Sequence, residues 1–126
     1  VSSHIENPYL IERRQVQMVL YVVKWDILPD KEEAYLQWSE GAIQRIVAVP
    51  GVLEVRAYRP SNGASQVVGT CKFADLAAWS AFYAHEDTQK VWDELKTFTT
   101  NLTAELWSPS PVVPEPIQPE DILMII

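Results

Sequence analysis

The segment Val52-Leu53-Glu54-Val55-Arg56-Ala57-Tyr58-Arg59, then Pro60-Ser61-Asn62-Gly63, then Ala64 to Phe73, decides how the rest of the chain can fold. Leu53, Val55 and Ala57 fall on one side of the first run, and Glu54, Arg56 and Tyr58 on the other. This is the period-two alternation of a strand with one covered face. The return run sets Val67, Gly69, Cys71 and Phe73 against Gln66, Val68, Thr70 and Lys72. Asn-Gly between them tolerates positive φ, so the two runs are expected to pair as an antiparallel hairpin.

Upstream, Gln15 to Ile27 is rich in β-branched and aromatic residues. Val19, Tyr21, Val23 and Trp25 line one face and Met18, Leu20 and Val22 the other. Apolar residues on both faces predict a central strand covered on both sides. Asp30, with Glu33 three residues on, has the spacing of a helix N-cap. Tyr35, Trp38, Ala42, Ile46 and Val49 then recur at helical intervals until Pro50-Gly51 ends the pattern. Asp75 opens a second helical stretch carrying Leu76, Trp79, Phe82 and Tyr83. His85-Glu86-Asp87 interrupts it, with Asp87 expected to cap a further helix through Val91, Trp92, Leu95 and Phe98. Leu102, Ala104 and Leu106 alternate with Thr103, Glu105 and Trp107 in a last strand. The resulting order, β-α-β-β-α-β, is an α+β ferredoxin-like sandwich over residues 15–108, between an arm at 1–14 and a tail at 109–126. Five of the nine prolines fall at 109, 111, 114, 116 and 119, so the tail is expected to be extended and outside the sheet, ending in an apolar run from Ile122 to Ile126.

The chain has 126 residues, enough for one domain, and 48% hydrophobic residues, too many for wholesale disorder. Ten Lys+Arg against seventeen Asp+Glu give a net charge of −7, which argues against nucleic-acid binding. No apolar run is long enough to cross a bilayer, and the start lacks the pattern of a signal peptide. With Cys71 alone, neither an internal disulfide nor a thiolate metal site is expected. The expectation is a soluble domain of the cytoplasm.

Helices on one side leave a second sheet face that mixes Tyr58, Val68 and Trp107 with Glu54, Arg56, Lys72 and Glu105. It is too apolar for open water and too charged for a dry core, so a homodimer closed by two such faces is expected.

The text of these elements resembles the antibiotic biosynthesis monooxygenase family of the dimeric α+β barrel superfamily. The matching pieces are Met18-Val19-Leu20-Tyr21-Val22-Val23, Pro50-Gly51-Val52, Phe73-Ala74-Asp75-Leu76-Ala77-Ala78-Trp79, His85 and Glu105-Leu106-Trp107, within roughly residues 16–108. The resemblance implies a dimeric α+β barrel with a cavity for a small aromatic or apolar metabolite between helices and sheet. Some relatives oxygenate polycyclic aromatic substrates with no metal or flavin, by deprotonation of the substrate and reaction of its carbanion with oxygen, so a cofactor-independent oxygenase of that kind is the activity the resemblance implies. Haem-degrading relatives carry an Asn on the first strand, where this chain offers Val22, Val23 and Lys24, and a His where Trp92 stands. Other relatives sense ligands or have no known activity.

His85, the only histidine inside the predicted domain, is the candidate catalytic base, because imidazole titrates near neutrality; its structural alternative is to terminate a helix. Trp38, Trp79, Phe82 and Trp92 are candidate walls of a substrate cavity, with Tyr83 orienting the ligand; at helical spacing they equally suit a core. Arg56 and Tyr58 are candidate substrate contacts, or part of a polar network at the dimer interface with Glu54, Lys72 and Glu105. Asp26, Glu32, Glu33 and Glu40 lack His or Cys partners and read as solvated side chains, so no metal site is expected. Asn101-Leu102-Thr103 has the form of a glycosylation sequon but lies in a predicted strand.

Overall fold

A computed structural model describes residues 18–121. The expected arm at 1–14 and the apolar run from Ile122 to Ile126 lie outside the described residues. The elements are β1 (Val19–Ile27), a 3-10 turn (Pro29–Lys31), α1 (Glu32–Val47), β2 (Glu54–Tyr58), β3 (Val67–Phe73), α2 (Leu76–Ala84), α3 (Glu86–Phe98) and β4 (Thr99–Trp107). They form one four-stranded antiparallel sheet in the order β2-β3-β1-β4, with the helices on one face: the α+β ferredoxin-like fold.

The doubly apolar β1 is central, paired with β3 on one side and β4 on the other. Its odd-numbered residues Val19, Tyr21 and Val23 join Val49, Phe73 and Phe82 in the buried core. Phe73 has no exposed surface and lies 4.8 Å, centroid to centroid, from Phe82, which ties the end of β3 to α2. Asp75 caps α2 as expected, its carboxylate accepting from the Ala78 N–H at 2.8 Å.

Three local expectations are corrected. Asp30 does not cap α1: Pro29 fixes the backbone of a 3-10 turn, closed by the Lys31 N–H on the Leu28 carbonyl at 2.9 Å. Asp30 therefore lies inside that turn, and Lys31 takes the N-cap position without a side-chain bond. The cap of α3 is His85 rather than Asp87: its Nδ1 accepts from the Asp87 N–H at 3.1 Å. The hairpin register is Glu54↔Lys72 through Tyr58↔Val68, but no tight Asn-Gly turn closes it. Gln66 is held by β1 instead. Its N–H donates to the Asp26 carboxylate at 2.8 Å and its side-chain oxygen accepts from the Ile27 N–H at 2.8 Å. The chain from 59 to 66 is thereby left as a loop.

Asp26 also receives the Asn101 amide at 3.0 Å, where the register between β1 and β4 shifts. Asn101 has a φ of 55°, a conformation that asparagine tolerates, and this accommodates the extra residue of a bulge. The sequon asparagine is thus a fixed strand residue. The proline-rich segment forms no strand and ends in a helical turn closed by the Asp121 N–H on the Gln118 carbonyl at 3.0 Å.

Among the described residues no element covers the second sheet face, and Tyr58 and Trp107 are each 48% exposed on it. Its charges pair within the chain, Arg56 with Glu54 at 2.9 Å and Lys24 with Glu105 at 3.8 Å. Among the described residues no helix is long and apolar enough to cross a membrane.

Replacing Phe73 by Ala leaves a hole at the junction of β3 and α2. It is expected to destabilise the fold by about 3–5 kcal/mol, read from urea unfolding curves.

Candidate functional site

Between helices and sheet lies a cavity of about 180 Å³ with an almost wholly apolar lining. It exists because small residues meet there. Ala57, Gly69 and Cys71 form part of its floor, and Ala42 of α1 part of its roof. Rings frame the space that they leave. Gly69 lets the Trp25 ring lie close over the strand: a Cβ there would stand 3.2 Å from the ring, which would have to give by a few tenths of an ångström. The Trp25 indole N–H then donates to the Tyr35 hydroxyl at 3.1 Å, joining β1 to α1 across the end of the cavity.

Tyr21 is the hub of the aromatic cluster. Its ring centroid is 5.6 Å from Trp79, 6.3 Å from Trp92, and 6.4 Å from both Phe82 and Tyr83. Burial, with smaller contributions from Tyr83 and Cys71, pushes its phenol up to about 12. Burial likewise pushes the Cys71 thiol up to about 11, so it behaves as a small apolar residue and not as a nucleophile. Burial also raises Tyr35, against the opposing hydrogen bond from Trp25.

On the outer side of the helices, Glu94 accepts from the Trp38 indole at 2.7 Å and from both Arg45 guanidinium nitrogens, at 2.7 and 3.1 Å. This clamp joins α1 to α3 and orients Trp38, whose ring packs 5.1 Å from Phe98. The bonds from Arg45 and then from Trp38 hold the Glu94 carboxyl well down, at about 2.

Of the site residues expected from sequence, the cavity brings together Trp38, Phe82, Tyr83 and Trp92, with Arg56 at the edge strand. Trp79 is not in the lining; it packs behind Tyr21 and 5.3 Å from Tyr83. Tyr58 is on the uncovered face, where with Arg56, Lys72 and Trp107 it borders a shallower hollow of about 390 Å³. His85, the candidate base, is absent from the cavity lining and sits between α2 and α3. Its Nδ1 is engaged instead in capping α3, accepting from the Asp87 N–H.

Sequence reasoning passed over Tyr21, Tyr35, Ala42 and Thr88, all of which line the cavity. The signal for Thr88 was its helical spacing, three before Val91 and four before Trp92. The Thr88 hydroxyl is buried and, among the described residues, has no hydrogen-bond partner. Nor does any group of three or more His, Cys, Asp or Glu among those residues form a metal-ligating cluster.

The family model for antibiotic biosynthesis monooxygenase matches residues 18–93, more than half of the chain. The chain therefore belongs to the antibiotic biosynthesis monooxygenase family, with the ferredoxin-like fold of dimeric α+β barrel proteins. SnoaB, a cofactor-independent oxygenase from Streptomyces nogalater, is similar at 16% identity, over 79% of this chain and 99% of that one, with a TM-score of 0.59. A ferredoxin-like dabb family protein from Mesorhizobium loti is 19% identical over 74% of this chain and 97% of the other, at a TM-score of 0.63. A dimeric protein of unknown function from Bacteroides fragilis is 10% identical over 73% and 96%, at 0.60. At these identities the likeness is one of fold. No curated protein matches the chain.

Two outcomes follow from this geometry. Gly69→Ala pushes the Trp25 ring off the strand and is expected to cost about 1–3 kcal/mol, with a shift in tryptophan emission on a matched thermal melt. Because Glu94 is held below its usual value, the stability that it adds is present above about pH 4.5 and is lost as pH falls towards about 2. Its side chain is 41% exposed, so solvent screening limits the contribution to under about 1 kcal/mol. Urea midpoints of wild type and Glu94→Gln should differ at pH 6 and converge near pH 2.

Proposed function

We propose that this protein binds a small aromatic metabolite in the cavity between helices and sheet and oxygenates it without a resident cofactor, acting as a homodimer. The observation that carries the reading is the cavity: apolar, partly open, and framed by Trp38, Phe82 and Trp92. An apolar hole of about 150 Å³ holds benzene, so a cavity of about 180 Å³ suits one ring or a small fused pair. Family membership and the description of SnoaB as a cofactor-independent oxygenase support the chemical half. In that chemistry an acidic CH₂ group loses a proton and its carbanion gives electrons to O₂. The balance is R₂CH₂ + O₂ → R₂C=O + H₂O: one oxygen atom enters the product, the other leaves as water, and the substrate supplies all the electrons. The uncovered sheet face, with half-exposed Tyr58 and Trp107, is the proposed dimer surface, and the dimeric state of a structural neighbour supports it.

A second reading, a non-catalytic binding or sensing module, is favoured by one observation. Among the described residues lining the cavity there is no carboxylate or imidazole to take the proton. The catalytic reading therefore needs a substrate acidic enough to ionise with little help, or His85 released from its cap.

Calorimetric titration and oxygen-electrode measurements on a panel of one- and two-ring aromatics separate the two. Saturable binding with oxygen consumed mole for mole with product supports the oxygenase; the same binding without oxygen uptake supports the module. No binding across the panel overturns both. His85→Ala at full turnover removes that residue from the chemistry, and sedimentation as a lone protomer at micromolar concentration removes the dimer.

A further inference from the structure

Tyr21 belongs to the cavity floor, opposite Cys71 in the β1–β3 pairing, with its ring T-shaped at 6.4 Å from Tyr83 of α2. The other side-chain polar groups of the lining are served or turned away. The Tyr35 hydroxyl accepts from Trp25, the Ser39 hydroxyl donates to the Leu36 carbonyl at 3.0 Å, and the Gln89 amide donates to the Tyr83 carbonyl. The Thr88 hydroxyl is shut off from the cavity as well as from water, as is the Trp79 indole nitrogen. Thr70, one residue after Gly69, turns to the opposite face of the sheet and borders the hollow beside Tyr58. Tyr83 is 40% exposed, so water reaches it. Tyr21 is only 7% exposed, and among the described residues its hydroxyl is neither hydrogen-bonded nor shut off, so it opens onto the cavity that the residue lines. A buried hydroxyl left unpaired costs stability. Burial, and then the neighbouring Tyr83 and Cys71, hold this phenol in its neutral form, with a proton to donate.

We propose that the Tyr21 hydroxyl is the polar anchor of the cavity, donating to the carbonyl oxygen of an otherwise apolar ligand of one or two rings. The inference rests on the reading of the cavity as an aromatic-ligand site and adds to it the chemical class of the ligand. A pure hydrocarbon leaves the hydroxyl unpaired. A carboxylate has to shed its water into an apolar wall where the cation of the lining, Arg56 at the edge strand, is already paired with Glu54 at 2.9 Å. A neutral aryl ketone meets both conditions.

Indane and 1-indanone, one framework differing by a carbonyl, test this by calorimetric titration of the full chain. Wild type is expected to bind 1-indanone about tenfold more tightly than indane. Tyr21→Phe keeps the ring among Trp79, Phe82 and Trp92 and removes only the hydroxyl. It should hold indane within about threefold of wild type and lose the preference for the ketone. Infrared spectra supply a readout that a merely structural role would not move. The carbonyl stretch of 1-indanone bound to wild type should fall below its position in cyclohexane, and Tyr21→Phe should bring it back. If wild type binds the two ligands equally, if the bound carbonyl absorbs where it does in cyclohexane, or if Tyr21→Phe keeps the preference, the anchor is overturned while the aromatic site stands. If wild type binds neither, the aromatic site falls and the anchor with it.

Discussion

The covering of β1 governs this molecule. The central strand carries apolar side chains on both faces, and its hydrogen bonds are taken up by β3 and β4. Neither face can be left to water without a large penalty in exposed apolar area. The helices solve one side. Tyr21, Val19 and Val23 are sealed by α2, α3 and the Val49 turn, with Phe73 and Phe82 closing the end. On the other side, where no element among the described residues lies over the sheet, Val22 is only 1% exposed while Tyr58 and Trp107 remain half in water.

The same constraint generates the cavity. A helical layer stands off a sheet by the side chains between them, and bulky residues fill that gap along Tyr21, Trp79 and Phe82. Beside them Gly69, Ala57 and Ala42 do not fill it. The hollow persists because its frame is held from outside: Trp25 is tied to Tyr35, and beside it Trp38, its ring 6.1 Å from that of Tyr35, is fixed by the Glu94 carboxylate that Arg45 also holds. Rigid rings held by polar bonds at their edges enclose space that flexible side chains would collapse into.

Polarity is distributed with equal economy. Charge is kept on the surface, where pairs such as Arg45–Glu94 and Lys90–Glu86 lie partly in water. The titratable groups shifted by burial, Tyr21, Tyr35 and Cys71, are all pushed towards their neutral forms. A cavity of this kind selects by shape and by very few hydrogen bonds.

Order and type of the elements were legible in the amino-acid text, because strand and helix periods are local. The alternation around Val55 and Val67, the doubly apolar β1 and the Asp75 cap all needed only near neighbours along the chain. The family was legible for the same reason. Turns that depend on distant partners were not: Gln66 is drawn to Asp26 and Ile27 across the sheet. Which aromatic rings border empty space and which fill it was likewise settled only in three dimensions. Trp79 and Trp92 share a residue type and a helical layer, yet only Trp92 meets the gap left by small residues on other elements. Periodicity along one element reports which face is covered; the volume between elements depends on side chains far apart in sequence, and no local pattern records their sum.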